Sequence, residues 1–519
     1  MDEGRTGPHD PGTPDDRSRV PLHAALFTTV LLIAACGLVY ELVAGALASY
    51  LLGDSVTQFS TIIGAYLFAM GVGSWLSRFI VRGLATRFVQ IQLMVAVVGG
   101  FSSTALFLAF AYTDGFRLLL YVTVFVIGTL VGLEIPLLMR LLKDHFDFRD
   151  VVAHVLTFDY LGALAASLLF PLLMLPWLGL ARTALFFGLV NGAVALWSCH
   201  LFRERLGAPR LLQATSVAVL AALGVGMVQA ERLTRLAESS LYADQVVFTR
   251  DSSYQRIVLT AWDDDLRLFL DGHLQFSSRD EYRYHEALVH PGLSTLDGPA
   301  RVLIMGGGDG MAVREALRYP NVEVTLVELD PAMTTLFADH TVLAPLNAGA
   351  LRSDRVRIVH QDAFVWLAET DEVFDFIVAD FPDPSSYSVG KLFTSAFYRL
   401  VSAHLAPDGL LAVQATSPMF APRAYWSIEA TLRDAGYDTW PYHAYVPSFG
   451  EWGFVLAGRR PYDPRDGTLP EGLRFLTPSL VPQLFDFPLD MQPVAAEVNR
   501  LDDPVLVRYY EQDWRRIQR

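Results

Sequence analysis

The 519-residue sequence has only two cysteines, Cys36 and Cys199, and both lie inside apolar runs with no partner nearby. That excludes a disulfide framework and leaves them as packing residues. No cluster of His, Cys and acidic residues has metal-ligand spacing, so no metal is expected. Charge is scarce as well. Asp, Glu, Lys and Arg make up 18% of the chain, and the positive sign is the scarcer, with 40 basic against 55 acidic residues for a net charge of -15. Such a balance repels a phosphate backbone and argues against nucleic acid as a partner. There is no internal repeat of the kind that marks a transporter's inverted halves.

What the chain has in abundance is apolar residues, 52% of the total, and they are unevenly placed. Runs almost free of charge fill roughly the first 230 positions, and acidic and arginine residues concentrate after a composition boundary near Leu233. Residues 1–20, charged, rich in Pro and Gly and without periodicity, are expected as a disordered tail. Residues 21–232 read as a multi-pass helical membrane domain of about seven helices, near 23–49, 57–79, 89–113, 117–142, 151–177, 182–202 and 211–229, with the last the weakest. The first run is longer than a signal-peptide core and others follow it, so it is expected to stay in the bilayer.

Basic residues cluster after the second, fourth and sixth stretches (Arg78, Arg82, Arg87; Arg140, Lys143, Arg149; Arg203, Arg205, Arg210), with Arg17 and Arg19 at the start and few others than Arg117 and Arg182 opposite. The positive-inside rule then places the N-terminus in the cytoplasm, and seven crossings leave the second half outside. A cofactor made in the cytoplasm argues for the other side, and the cytoplasmic placement is preferred. Glu41, Glu134 and Asp159 lie within spans, where an unpaired charge costs roughly 3 kcal/mol, so they are expected to face the bundle interior. Hydrogen bonding between helices is the plain reading and a cation site for a polyamine the sharper one.

The second half reads as an α/β Rossmann-like domain preceded by a small antiparallel sheet, with divisions at 238–298, 299–460 and a C-terminal extension, 461–519, packing on the catalytic domain. Alternating strands at 245–249, 255–260 and 266–270, turning at Asp263 to Asp265, make the small sheet. The strand 301–305 ends in Gly306, Gly307, Gly308, Asp309, Gly310, a helical stretch follows, and the next strand, 322–329, carries Glu328 near its carboxyl end, 20 residues after Gly308. Glycines let backbone approach a ligand, and a carboxylate at that distance can accept both ribose hydroxyls, the arrangement of a nucleoside-binding βαβ unit. Further strands at 356–359, 374–379, 410–414 and 452–457 predict an open, largely parallel sheet, whose ligands sit beyond the strand carboxyl ends. Asp362, Asp380 and Asp383 fall on that edge and join Asp309 and Glu328.

A pocket lined by five acids, with no basic residue of similar placement, favours a cation over a phosphate. A sulfonium nucleoside fits, and carboxylates would offset the repulsion between it and an incoming alkylammonium. An amine of pKa about 10 is protonated near neutrality and needs a base, for which Asp380 is well placed.

These residues resemble the spermidine synthase family of polyamine aminopropyltransferases, in its multi-pass membrane subset. The matching segments are Tyr254-Gln255, Leu270 to Gln275, Asp280-Glu281 with Tyr284-His285-Glu286, Gly306 to Gly310, Val327-Glu328, Gln361-Asp362 and Asp380-Phe381-Pro382-Asp383-Pro384 with Leu392-Phe393-Thr394. The resemblance implies decarboxylated S-adenosylmethionine as donor co-substrate, with no prosthetic group, and putrescine or a similar amine as acceptor. It further implies that Gly306 and Gly308 form the donor loop, Glu328 holds the ribose, Asp362 the adenine amino group, and Asp309 with Gln255 the aminopropyl arm. Asp380 would be the base, with Tyr284, His285, Asp383 and Gln275 on the acceptor side. The chain departs from the family pattern at Ser385 to Lys391, where many members carry Gly-Pro, and at Pro447-Ser448-Phe449, in place of Pro-Thr-Tyr, so a substrate-facing hydroxyl is expected to be missing there. The alternatives are a membrane-tethered S-adenosylmethionine-dependent methyltransferase, or a polyamine-binding transporter or sensor without turnover. The bilayer is the expected partner beside the small-molecule amine, and homo-oligomerisation stays open.

Overall fold

The computed structural model describes residues 19–52, 55–113, 115–143, 148–239, 242–296, 298 and 300–517. The expected tail lies outside the described residues up to position 18, and Arg19 already begins the first helix. The chain divides into two compact units, up to Ala243 and from Asp244 onward.

The first unit is helical: α1 (Arg19–Leu52), α2 (Ser55–Leu76), α3 (Leu84–Tyr112), α4 (Phe116–Leu142), α5 (Phe148–Leu169), α6 (Leu175–Leu201) and α7 (Pro209–Ser239). Among the described residues, six helical stretches are long and apolar enough to cross a membrane; one of them runs from Arg149 to Leu201, 53 residues. At about 1.5 Å per residue that is roughly 80 Å, far more than the ~30 Å of a hydrocarbon core. It breaks at Gly179 (φ 68°, ψ 177°), after a π-helical turn at Phe170–Met174, and so joins two helices. The stretch expected to be weakest meets the same criterion over Pro209–Ala230, and its helix continues past the composition boundary to Ser239. Glycine sets the closest helix contact. A Cβ at Gly73 would lie 2.0 Å from the Thr129 carbonyl oxygen and one at Gly132 2.2 Å from that of Met70, so α2 and α4 touch backbone to backbone. Glu134 and Glu41 are buried and Asp159 half-buried, and neither Glu134 oxygen has a hydrogen-bond partner among the described residues.

The second unit opens with β1 (Gln245–Asp251), β2 (Arg256–Trp262), β3 (Asp265–Leu270) and β4 (His273–Ser277), an antiparallel meander turning at Asp263 (φ 56°). Three of these strands were legible in the sequence and β4 was not. There follow α8 (Glu281–Leu293), β5 (Ala300–Gly306), α9 (Met311–Ala316), β6 (Val322–Glu328), α10 (Pro331–Asp339), β7 (Val356–His360), α11 (Ala363–Glu369), β8 (Phe374–Asp380), α12 (Tyr387–Gly390), α13 (Ser395–Ala403), β9 (Leu405–Gln414), α14 (Pro422–Asp434), β10 (Asp438–Val446), β11 (Gly450–Gly458) and α15 (Val505–Ile517). The seven-stranded sheet has the order β10-β11-β9-β8-β5-β6-β7, parallel from β9 to β7 and antiparallel at β10 and β11.

Strand parity divides its core. Val302 and Ile304 face one way, packing with α8, α9 and the small sheet's Ile257, Leu259 and Leu268. Leu303 and Met305 face the other, with Phe397, Ile428 and Leu506. Each central strand is therefore apolar on both faces, as sheets covered by helices on both sides require. From β5 the chain goes outward to β6 and β7 and then returns to β8 on the other side. The carboxyl end of β5 is thus the topological switch point, where ligands bind in such sheets.

Candidate active site

The glycine loop sits at that switch point, clasped between two acids. Gly306 pairs with Asp380 across the β5–β8 ladder, and Gly306, Gly307 and Gly310 have φ of 79°, 64° and 76°, a region that side chains other than glycine's adopt at a cost. A Cβ on Gly307 would lie 2.9 Å from Asp380 Oδ2, and one on Gly308 2.7 Å from Glu328 Oε2. The loop is bare because the carboxylates of β6 and β8 close on it from either side. A ligand lying along it therefore meets backbone and acid together.

Glu328 is buried at the end of β6 and accepts from Asp330 N at 2.8 Å; burial pushes its carboxyl up to about 7. Asp309 accepts from Met311 N at 2.9 Å, its carbonyl takes the Asn347 amide at 2.8 Å, and burial raises its carboxyl. Asp380 accepts from the Tyr284 hydroxyl at 2.6 Å, and desolvation pushes it up to about 6. Asp383 is likewise pushed up to about 6 by desolvation, against hydroxyl and amide donors from Tyr510 at 3.0 Å and Gln414 at 3.5 Å. Carboxyls held this reluctant to ionise by burial would gain from a positive charge placed among them.

An ionic frame holds Tyr284 in place. His285 Nδ1 is 2.8 Å from Glu281 Oε2, and Arg314 Nη2, on the helix just after the glycine loop, is 2.9 Å from the same oxygen. Burial alone would lower the His285 imidazole, but the Glu281 carboxylate outweighs it and raises it to about 9. His285 is therefore a buried cation near neutrality, and its charge reaches Asp309 and Asp380. Glu281 and Arg314 had no assigned role from sequence; their roles are visible only once α8 and α9 are seen side by side.

One sequence expectation needs correction. The pocket was read as free of basic residues, yet Lys391 Nζ lies 2.6 Å from Asp362 Oδ2, and His285 adds a second positive charge. The segment after Pro384 folds through α12 and brings Lys391 back over the end of β7. Both Asp362 oxygens are engaged, the other accepting from Phe364 N at 2.8 Å, and although burial works the other way, Lys391 holds the carboxyl below the ordinary range. Gln255, expected with Asp309 at the aminopropyl arm, donates through Nε2 to Asp330 Oδ2 at 3.1 Å and ties the small sheet to the start of α10. Gln275 bonds the backbone of its own strand, 3.2 Å to His273 O, and among the described residues no hydrogen bond links it to the acid cluster. A polar side chain is bound by its nearest partner in space, which linear spacing does not reveal. Asp330, unmarked earlier, caps α10 through Ala332 N, and the Asp-Pro pair at 330–331 was the available signal.

The pattern described as the spermine/spermidine synthase domain matches residues 281–463. A polyamine aminopropyltransferase of Leptospira interrogans is 50% identical over 497 residues, 96% of this chain and all of its own length. Polyamine aminopropyltransferase 2 of Ralstonia nicotianae is 54% identical over 507 residues, covering 96% of this chain and 99% of its own. A solved spermidine synthase in complex with the transition-state analogue AdoDATO is 24% identical, covers 47% of this chain and 86% of its own, and has a TM-score of 0.44. With relatives of that identity aligned through both halves, and with the glycine loop, Glu328 and the Asp380–Asp383 pair in one cleft, the chain belongs to the polyamine aminopropyltransferase family.

Proposed function

We propose that the cleft transfers the aminopropyl group of decarboxylated S-adenosylmethionine to putrescine or a similar amine, giving spermidine and methylthioadenosine, with Asp380 as the base. The observation that carries this reading is the glycine loop lodged without clearance between Glu328 and Asp380. Glu328 would accept the ribose hydroxyls, and Asp309 would face the cationic aminopropyl arm. A donor that kept its carboxylate would be repelled there, which disfavours the methyl-transfer alternative. The acceptor nitrogen would lie between Asp380 and Asp383, with Tyr284 fixing the first. Its lone pair attacks the aminopropyl carbon attached to sulfur, the carbon–sulfur bond breaks, and sulfur keeps the pair as a neutral thioether. The proton passes from nitrogen to Asp380. Asp362 is proposed to meet the adenine amino group, for which the Lys391 ammonium must yield an oxygen.

The full-length protein, incubated with this donor and a panel of amines, should form methylthioadenosine and the lengthened amine in equal amounts by mass spectrometry. Binding without product would overturn the reaction. The second-order rate constant for the amine should fall steeply below pH about 6. There Asp380 and Asp383, whose carboxyls are raised, take up the protons that their roles require them to lack.

We further propose that the first half anchors the enzyme in a membrane through its helices, the Arg149–Leu201 run counting as two. With the N-terminus in the cytoplasm, as the loop charges predict, seven full crossings would put the catalytic half outside; because the donor is made in the cytoplasm, we place that half on the cytoplasmic side, which requires that one stretch, Pro209–Ala230 the first suspect, does not fully span. Cys36 and Cys199 are buried, so a cysteine at Leu489, 93% exposed, reports cleanly. In Leu489→Cys, an impermeant maleimide should label opened cells only; labelling of intact cells would reverse the placement.

A further inference from the structure

Tyr510 lies on α15, beyond the 281–463 segment that carries the family pattern, yet its hydroxyl donates to Asp383 Oδ2 at 3.0 Å. Of the other donors, Gln414 Nε2 stands at 3.5 Å and bonds the Phe381 carbonyl at 2.6 Å, and the Thr416 hydroxyl also favours the charged carboxylate; Tyr510 makes the best-formed contact. Tyr510 is itself 8% exposed. Its helix is fastened by Arg423, which meets Asp513 Oδ1 through Nη2 at 2.6 Å and Nε at 2.9 Å, while Arg423 N reaches Oδ2 at 3.1 Å. Trp514 packs between Tyr510 and Phe420, tilted to each ring with centroids 5.9 Å apart. Just upstream, Asn499 donates to the Gly390 and Phe393 carbonyls at 3.1 Å and accepts from Leu506 N at 3.3 Å. The C-terminal segment thus grips the loop that bears Lys391 and reaches into the cleft with one hydroxyl. Phe449, whose ring lies 6.3 Å from that of Tyr284, offers no hydroxyl of its own.

We infer that Tyr510 is a positioning residue for the acceptor amine: it fixes the Asp383 carboxylate and favours its ionised form, so that α15 sets acceptor affinity without touching the donor. The inference rests on the aminopropyl-transfer reading above. A partly buried carboxylate left with only the long Gln414 contact and the Thr416 hydroxyl would turn and protonate more readily; a hydroxyl anchored from a pinned helix restricts both freedoms. The titratable groups whose charge couples to Asp383 are Tyr284 from α8 and Tyr510 from α15; burial raises both phenols further, so neither ionises near neutrality.

Tyr510→Phe keeps the ring and removes only the hydroxyl. In the full-length protein it should raise KM for the amine about tenfold, the size expected for one hydrogen bond to a charged group, and leave KM for the donor within twofold. Because the lost donor had lowered the Asp383 carboxyl, the acid limb of the amine profile should move to higher pH. In an Asp383→Asn background the same substitution should change amine KM by less than twofold. An unchanged amine KM with an unmoved acid limb, equal losses for both substrates, or additivity with Asp383→Asn would each overturn the inference. A parent protein that forms no product would instead refute the reaction itself, and the two failures are thereby distinguished.

Discussion

Asp380→Asn is expected to lower kcat about a thousandfold while donor affinity, measured by calorimetry, stays within a few-fold. The acceptor amine arrives protonated, and with a pKa of about 10 only about one molecule in a thousand is free near neutrality. A positioned base typically contributes 10²–10⁴-fold, and Asp380, raised to about 6 by desolvation, is a far better proton acceptor than an ordinary aspartate. Asparagine keeps the shape and can still accept from the Tyr284 hydroxyl, which isolates the missing basicity. Desolvation penalises the charged carboxylate, so the empty variant should melt no lower than the parent above pH 6. A kcat within tenfold of the parent would remove Asp380 from the role of base.

Gly306→Ala should abolish donor binding and turnover together, by at least a hundredfold in each. The added Cβ would lie 2.2 Å from the Asp380 carbonyl oxygen, a backbone atom held in the β5–β8 ladder, so strand or loop must move. Left-handed φ adds about 1–3 kcal/mol of strain for a residue with a side chain. Gly436→Ala separates the two effects. Gly436 has φ of 92° but nothing within 4 Å of a Cβ, so that variant should lose stability and keep its kinetics. Comparable kinetic losses in both variants would show that strain, and not the closed space between the loop and the β8 backbone, makes glycine necessary.

The donor side of the cleft was legible because it is local. A strand, five residues of loop, a helix and an acid at the next strand end lie within 29 residues, and the physics that places them acts over the same range. Asp380 was legible for a similar reason, standing at the end of an apolar strand. On the proposed acceptor side, Tyr284 and Asp383 were named from sequence, but the partners that fix them were hidden. Tyr510 meets Asp383 across 127 positions, and its own surroundings resemble any amphipathic helix. Lys391 sat in plain view as a loop lysine, and only the turn of α12 gives it Asp362. β10 escaped because Pro441 interrupts its alternation, which an edge strand tolerates. The start of β9 was masked by Pro407, Asp408 and Gly409, residues that signal a turn.

The glycine contact between α2 and α4 also bears on traffic. With backbone resting on backbone at Gly73 and Gly132, no annulus is left on that seam for a file of water, still less for an alkylammonium. The buried amides of Gln92 on α3 and Asn191 on α6 lie away from that seam.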